Sequence, residues 1–116
     1  MRSVSAILAL TFTFSAVATA QSARPGGPNA SEPRTWQTPW DKTRPRDPFV
    51  DQQGRVWFVG QVGNYVANLD PKTGQFKRYS IEEGTHPHNL VVDAKGMVWF
   101  TGNENGRIVQ LDPTTG

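Results

Sequence analysis

The chain has 116 residues, with 12 basic and 10 acidic side chains, a formal charge of +2 and no cysteine. That length allows one small domain, and the lack of cysteine excludes disulfides, zinc–thiolate sites, a cysteine nucleophile and the lipid-bearing cysteine of bacterial lipoproteins. The balance of charge argues against a nucleic-acid surface: Arg24, Arg34, Lys42, Arg44 and Arg46 lie near Trp36 and Trp40, but Glu32, Asp41 and Asp47 are interspersed among them.

Arg2 precedes the apolar run SVSAILALTFTFSAVATA, which ends in Ala18, Thr19 and Ala20. A positive start, a short apolar stretch and an A-x-A ending predict a secretory signal peptide over residues 1–20. The run is too short and too rich in Ser and Thr for a membrane span, so the expectation is an exported chain, secreted or periplasmic, with no membrane anchor. Residues 21–34, QSARPGGPNASEPR, are dominated by Pro, Gly, Ser and Ala without apolar periodicity, and predict a disordered linker.

A repeat follows. Thr43–Gly74 aligns with Thr85–Gly116 without a gap, at a period of 42 residues and with 14 of 32 positions identical. The identities fall on "T.P", "VD..G.VWF.G" and "LDP.TG". In each unit a brief extended segment, PFVD or NLVVD, runs into DQQG (51–54) or DAKG (93–96), with Asp first and Gly fourth as a type I turn prefers. RVWFVG and MVWFTG come next, apolar through consecutive residues as in a strand covered on both faces. Gly63–Asn64 and Asn105–Gly106 give hairpin signals before YVANLD and RIVQLD. Asp-Pro-x-Thr-Gly makes the next turn, and QFKRYSI reads as a half-exposed outer strand. Asp51, Asp70, Asp93 and Asp112 each start a turn, where a carboxylate accepts a backbone N–H; this structural role outweighs a calcium or acid-pair reading.

Four short strands per unit at this period predict an all-β fold, a β-propeller of four-stranded blades. The reading gives an outer strand at 35–40 that belongs to a blade absent from this chain, blade one at 43–81 and an incomplete blade two at 85–116. Trp57 and Trp99 are expected between blades, and Trp36 and Trp40 over the propeller's edge. About one and a half blades are present where a ring needs about 4–8. The expectation is therefore the N-terminal piece of a longer protein, its remaining blades supplied by a C-terminal part or by other copies.

The segment THPHNLVVDAKGMVWFTGNENGRIVQLDPTTG resembles the blade consensus of the streptogramin lyase (virginiamycin B lyase) family, PH..VVD..G.VWFT…GRI..LDP.TG, and the similarity covers about Trp36 to Gly116. The resemblance implies a seven-bladed propeller and magnesium-assisted (Mg2+) opening of a cyclic depsipeptide antibiotic. The ring ester would be broken by elimination, with a base removing a proton next to a carbonyl while the metal stabilises the developing enolate. It also implies acid–base histidines at P-H sites, where inner strands begin and face the central channel. His88, in Pro87-His88-Asn89, occupies such a site and becomes the catalytic candidate. The pattern departs from the family in three places. Arg46 stands at the matching position of the first unit, where the lyases tend to have an aromatic. Gly60 and Gly102 stand where many blades carry the glutamate of WFTE. The lyases' main histidines belong to later blades.

From the residues themselves, His86 and His88 are two apart and point the same way on a strand; such a pair can bind a metal but does not complete a site. Their repeat equivalents are Arg44 and Arg46. With Asn89, these residues form a candidate channel lining of positive bias, suited to an anionic or carbonyl-rich small molecule or cyclic peptide; solvated loop arginines are the alternative. No Ser-His-Asp set, phosphate loop or amphipathic membrane helix is visible. Two other functions compete with the lyase: a non-catalytic NHL-type propeller scaffold binding a ligand or protein, and a metal-dependent lactonase-like hydrolase on a related propeller.

Overall fold

Each half of the repeat is organised around the same turn. In DQQG the Asp51 carbonyl accepts the Gly54 N–H at 3.0 Å, and the Asp51 Oδ1 accepts the N–H groups of Gln53 and Arg55, both at 2.9 Å. Gly54 sits at φ +79°, the left-handed region that a residue without a Cβ enters freely. The Asp51 Oδ2 takes the Arg55 Nε–H and the Trp57 indole N–H, each at 2.7 Å. DAKG repeats the design: Lys95 and Met97 donate to the Asp93 Oδ1 at 2.9 and 3.0 Å, and the Trp99 indole donates to Oδ2 at 3.0 Å. The repeated letters VD..G.VWF are thus one device, an aspartate that closes a turn and tethers a tryptophan on the next strand. The other shared turn works in the same manner. Asp70 and Asp112 accept the N–H of Lys72 and Thr114 at 2.8 Å, and their carbonyls accept Gly74 and Gly116, also at 2.8 Å.

The computed structural model describes residues 32–116; the expected leader, and the linker as far as residue 31, lie outside the described residues. Seven strands and no helix occupy the described part. β1 (Pro45–Val50), β2 (Val56–Gly60), β3 (Tyr65–Asp70) and β4 (Gln75–Ser80) form an antiparallel sheet in that order; β5 (Pro87–Val92), β6 (Val98–Gly102) and β7 (Ile108–Leu111) form a second. Each sheet is a blade of a propeller, and the two are stacked rather than closed into a ring. The stretch 35–40, expected as an outer strand, has no ladder. No unpaired sheet edge of a further blade lies beside it among the described residues, so it runs as a strap, with the Trp40 ring edge-on to Tyr65 and Phe76 at centroid distances of 5.1 and 5.9 Å.

Directly opposed residues in a ladder share a face. Trp57 and Val59 on β2 lie opposite Asn68 and Val66 on β3, and Val66 lies opposite Tyr79 on β4. That face packs on Leu90, Val98, Phe100 and Leu111 of the second sheet, with Trp57 stacked on Tyr79 at 5.4 Å. The reverse face holds Phe58, Tyr65 and Ala67 beneath Trp40 and Phe76. The two tryptophans expected between blades therefore have different fates. Trp57 is wholly buried by β5–β7, whereas Trp99 remains 38% exposed because no sheet lies over its face among the described residues.

Burial raises the carboxyl value of Asp51, but hydrogen bonds from the Trp57 indole and the Arg55 amide and guanidinium, with the Arg55 charge, outweigh it and hold the value below the usual 3.8. A depressed folded value adds stability that is complete above the unfolded value and is lost as pH falls through the folded one. Asp51→Asn, which keeps the shape but loses an acceptor, is expected to cost about 1–3 kcal/mol in equilibrium urea unfolding at neutral pH. Asp93→Asn should cost less, since its partner Trp99 keeps solvent. In a pH series, the wild type should lose stability below the usual carboxylate value more steeply than Asp51→Asn does.

Candidate functional site

The two innermost strands begin alike. The β1–β2 register shifts between Arg46 and Phe49, and the β5–β6 register shifts between Pro87 and Leu90, at overlapping repeat positions one residue apart. A bulge of this kind bends its strand and re-aims side chains. It is preceded in both units by a non-glycine residue in the left-handed region, Arg44 at φ +44° and its repeat equivalent His86 at +43°; Asp47, within the first bulge, sits at +46°. Such conformations cost about 1–3 kcal/mol each and persist where the surroundings enforce them.

The enforcement comes largely from Gln61, a buried residue at the end of β2. Its N–H donates to the Arg44 carbonyl at 3.2 Å, its Oε1 accepts the Arg46 guanidinium at 3.2 Å, and its carbonyl lies 3.0 Å from the His86 Nδ1. A carbonyl only accepts, so His86 donates from Nδ1 in this contact. The His86 Nε2 is 3.7 Å from the Glu104 carboxylate. Asn64 completes the clasp. It takes the left-handed position of the β2–β3 hairpin at φ +53°, its Oδ1 accepts the His86 N–H at 2.7 Å, and its Nδ2 donates to the Glu82 carbonyl at 2.9 Å.

Because β1 and β5 run side by side, the two bulges meet. The His88 Nδ1 lies 3.5 Å from the Asp47 Oδ2, with both side chains a little under half exposed. Asn89 is exposed and turned within its own sheet, its Oδ1 accepting the Thr101 hydroxyl at 2.7 Å. The structure therefore gathers Arg46 and His86 around Gln61 and places His88 against Asp47, while the Arg44 side chain points to solvent and only its carbonyl joins the cluster. The cluster is of mixed charge, because Asp47 and Glu104 accompany the two histidines. Asp47, Gln61, Asn64 and Glu104 are additions to the residues read from sequence. One signal for Asn64 was present: it stands where the second unit has Gly106, so the position needs a residue that tolerates positive φ.

The two glycines that depart from the WFTE pattern stand against neighbouring side chains. A Cβ at Gly60 would overlap the Tyr65 ring, and one at Gly102 would overlap the Asn105 side-chain oxygen. A side chain at Gly60 would have to displace the buried Tyr65 ring, whereas at Gly102 the obstacle is the movable end of the Asn105 side chain. Among the described residues no three His, Asp or Glu side chains converge. The pairs His88–Asp47 and His86–Glu104 do not fit the octahedral, oxygen-rich shell that magnesium requires.

No family model matches the chain, and no curated protein matches it. Among solved structures it is similar to selenomethionine-substituted virginiamycin B lyase from Staphylococcus aureus, at 22% identity and a TM-score of 0.57, and to a streptogramin B lyase, at 21% and 0.55. It is also similar to a catalytically inactive histidine-to-alanine variant of virginiamycin B lyase from Staphylococcus aureus with quinupristin, at 23% and 0.53. These matches cover 68%, 68% and 66% of this chain but 30% of each of those chains. The chain thus spans under a third of the length of those structures and shares the fold of that stretch, a part of the β-propeller on which these lyases are built.

Proposed function

We propose that this chain is the exported, propeller-forming part of a streptogramin-lyase-like carbon–oxygen lyase that opens the ester of a cyclic depsipeptide, with His88 as a general base. The observation that carries the reading is the His88 imidazole, half-exposed at a bulged inner-strand start and 3.5 Å from a carboxylate, on a fold shared with such lyases. In this chemistry the base takes a proton from a carbon beside a carbonyl. The C–H electron pair becomes a C=C bond, the ester's alkyl C–O bond breaks, and the ring carboxylate leaves with the bonding pair. No water is consumed. The resemblance assigns the enolate charge to magnesium, but the described residues offer no converging ligand set, so the proposal concerns the proton transfer alone. The activity belongs to the assembled propeller, whose other blades come from further chain or from other copies.

The second reading, a non-catalytic scaffold that binds a ligand or protein, is favoured by the Gln61 clasp, since Arg46 and His86 are engaged in holding two blades together. Incubation of quinupristin with the chain assembled with its remaining blades, followed by mass spectrometry, separates the classes; the chain by itself is expected to be inactive. Elimination yields a ring-opened product of unchanged mass with new alkene absorbance, whereas a lactonase-like hydrolysis adds one water. The lyase reading expects the first, slowed about 10²–10⁴-fold in His88→Ala. Binding without opening would support the scaffold, and opening untouched by His88→Ala would remove His88 from the chemistry.

A further inference from the structure

We infer that Asp47 is the positioning residue of His88, accepting its Nδ1–H and so presenting Nε2 as the basic nitrogen; this rests on the proposed role of His88. The pair is formed across two sheets. Asp47 lies in the bulge of β1 and His88 in the bulge of β5, with the Asp47 Oδ2 at 3.5 Å from the His88 Nδ1. Hydrogen bonds at catalytic histidines are commonly long in the absence of substrate, and the bond at one ring nitrogen decides which nitrogen is left to act as base.

Three further observations separate this contact from a byproduct of the repeat. The repeat equivalent of Asp47 is Asn89, which bonds Thr101 inside its own sheet, whereas Asp47 reaches the neighbouring one. Asp47 also holds a left-handed backbone at φ +46°, an uncommon state for a non-glycine residue and one of the few that Asp and Asn tolerate. Arg46, the cation next to Asp47 in sequence, is turned to Gln61, which leaves the carboxylate to the imidazole. The chemistry matches the arrangement in which a buried or half-buried carboxylate fixes the tautomer of a basic histidine without itself exchanging a proton.

The test reads the tautomer directly. Long-range 1H–15N spectra of the full chain, recorded without substrate at a pH where imidazoles are neutral, report which nitrogen of each of the two histidines carries the proton. The expected result is a majority Nδ1–H form for His88 in the wild type. In Asp47→Asn, His88 should revert to the Nε2–H form that free imidazole prefers. Asn is tolerated at positive φ and keeps the backbone, and His86, fixed by the Gln61 carbonyl, should hold its Nδ1–H signal in both proteins as the internal control for folding. A wild-type His88 in the Nε2–H form overturns the inference, whatever the variant does. An Asp47→Asn spectrum with the His88 tautomer unchanged overturns it as well. Because no substrate is present, a failure of the elimination chemistry would count against the proposed function and leave this assignment standing.

Discussion

The tether between an aspartate at a turn and the indole of the following strand sets the geometry of everything else. With Oδ1 occupied by two backbone amides and Oδ2 by an arginine and the Trp57 N–H, the Asp51 carboxylate fixes the strand-to-turn angle and the direction of the indole together. Trp57 then has one face of β2 to occupy, and the alternation of side chains assigns Val59, Val66 and Tyr79 to the same surface. That surface is where the second sheet docks. Docking brings β5 beside β1, and only then do the two bulged strand starts face each other. A polar contact at a turn tip is therefore the first cause of the His88–Asp47 pair on the far side of the sheet.

The arrangement carries energetic costs that the packing offsets. Asn68 lies opposite Trp57 in the ladder, and its Nδ2 is buried without a hydrogen-bond partner. Left-handed Arg44, Asp47 and His86 cluster at one end of the sheets. Costs of this kind are tolerated where rigid neighbours hold them, here the Gln61 and Asn64 side chains between the blades. The strain is local to the strand starts that the resemblance marks for chemistry, while the strand centres are regular ladders around apolar contacts.

The parts legible in the sequence were those governed by short-range stereochemistry. The Asp-x-x-Gly and Asp-Pro-x-Thr-Gly turns could be read because a carboxylate at the first position and a glycine at the last have few other uses together, and the repeat confirmed them twice. The strands between them followed. The bulges were not legible: PRDPF and PHNLV give no break in pattern that distinguishes a shifted register from a straight one. Without the register, the contact of Asp47 with a residue 41 positions away has no local trace. The course of the strap was not legible, because a Trp-rich segment can add to a ladder or cover a face, and what decides is whether an open edge is within reach. Trp57 and Trp99 carry the same signal in the sequence, and their different burial depends on what lies opposite and not on the residue.

Asn64 against Gly106 has a consequence for how a duplicated sequence stays ordered. Both satisfy the same backbone requirement, yet only the asparagine has an amide to hold the connection between the blades at His86 and Glu82. Two units that share turns, tryptophans and spacing could pack against the same kinds of surface, and similar neighbours invite mispairing between repeats. The side chain at the hairpin tip helps to break that symmetry. It gives the first blade an address for the second, so the order of the blades is written in polar contacts while their shape is written in apolar ones.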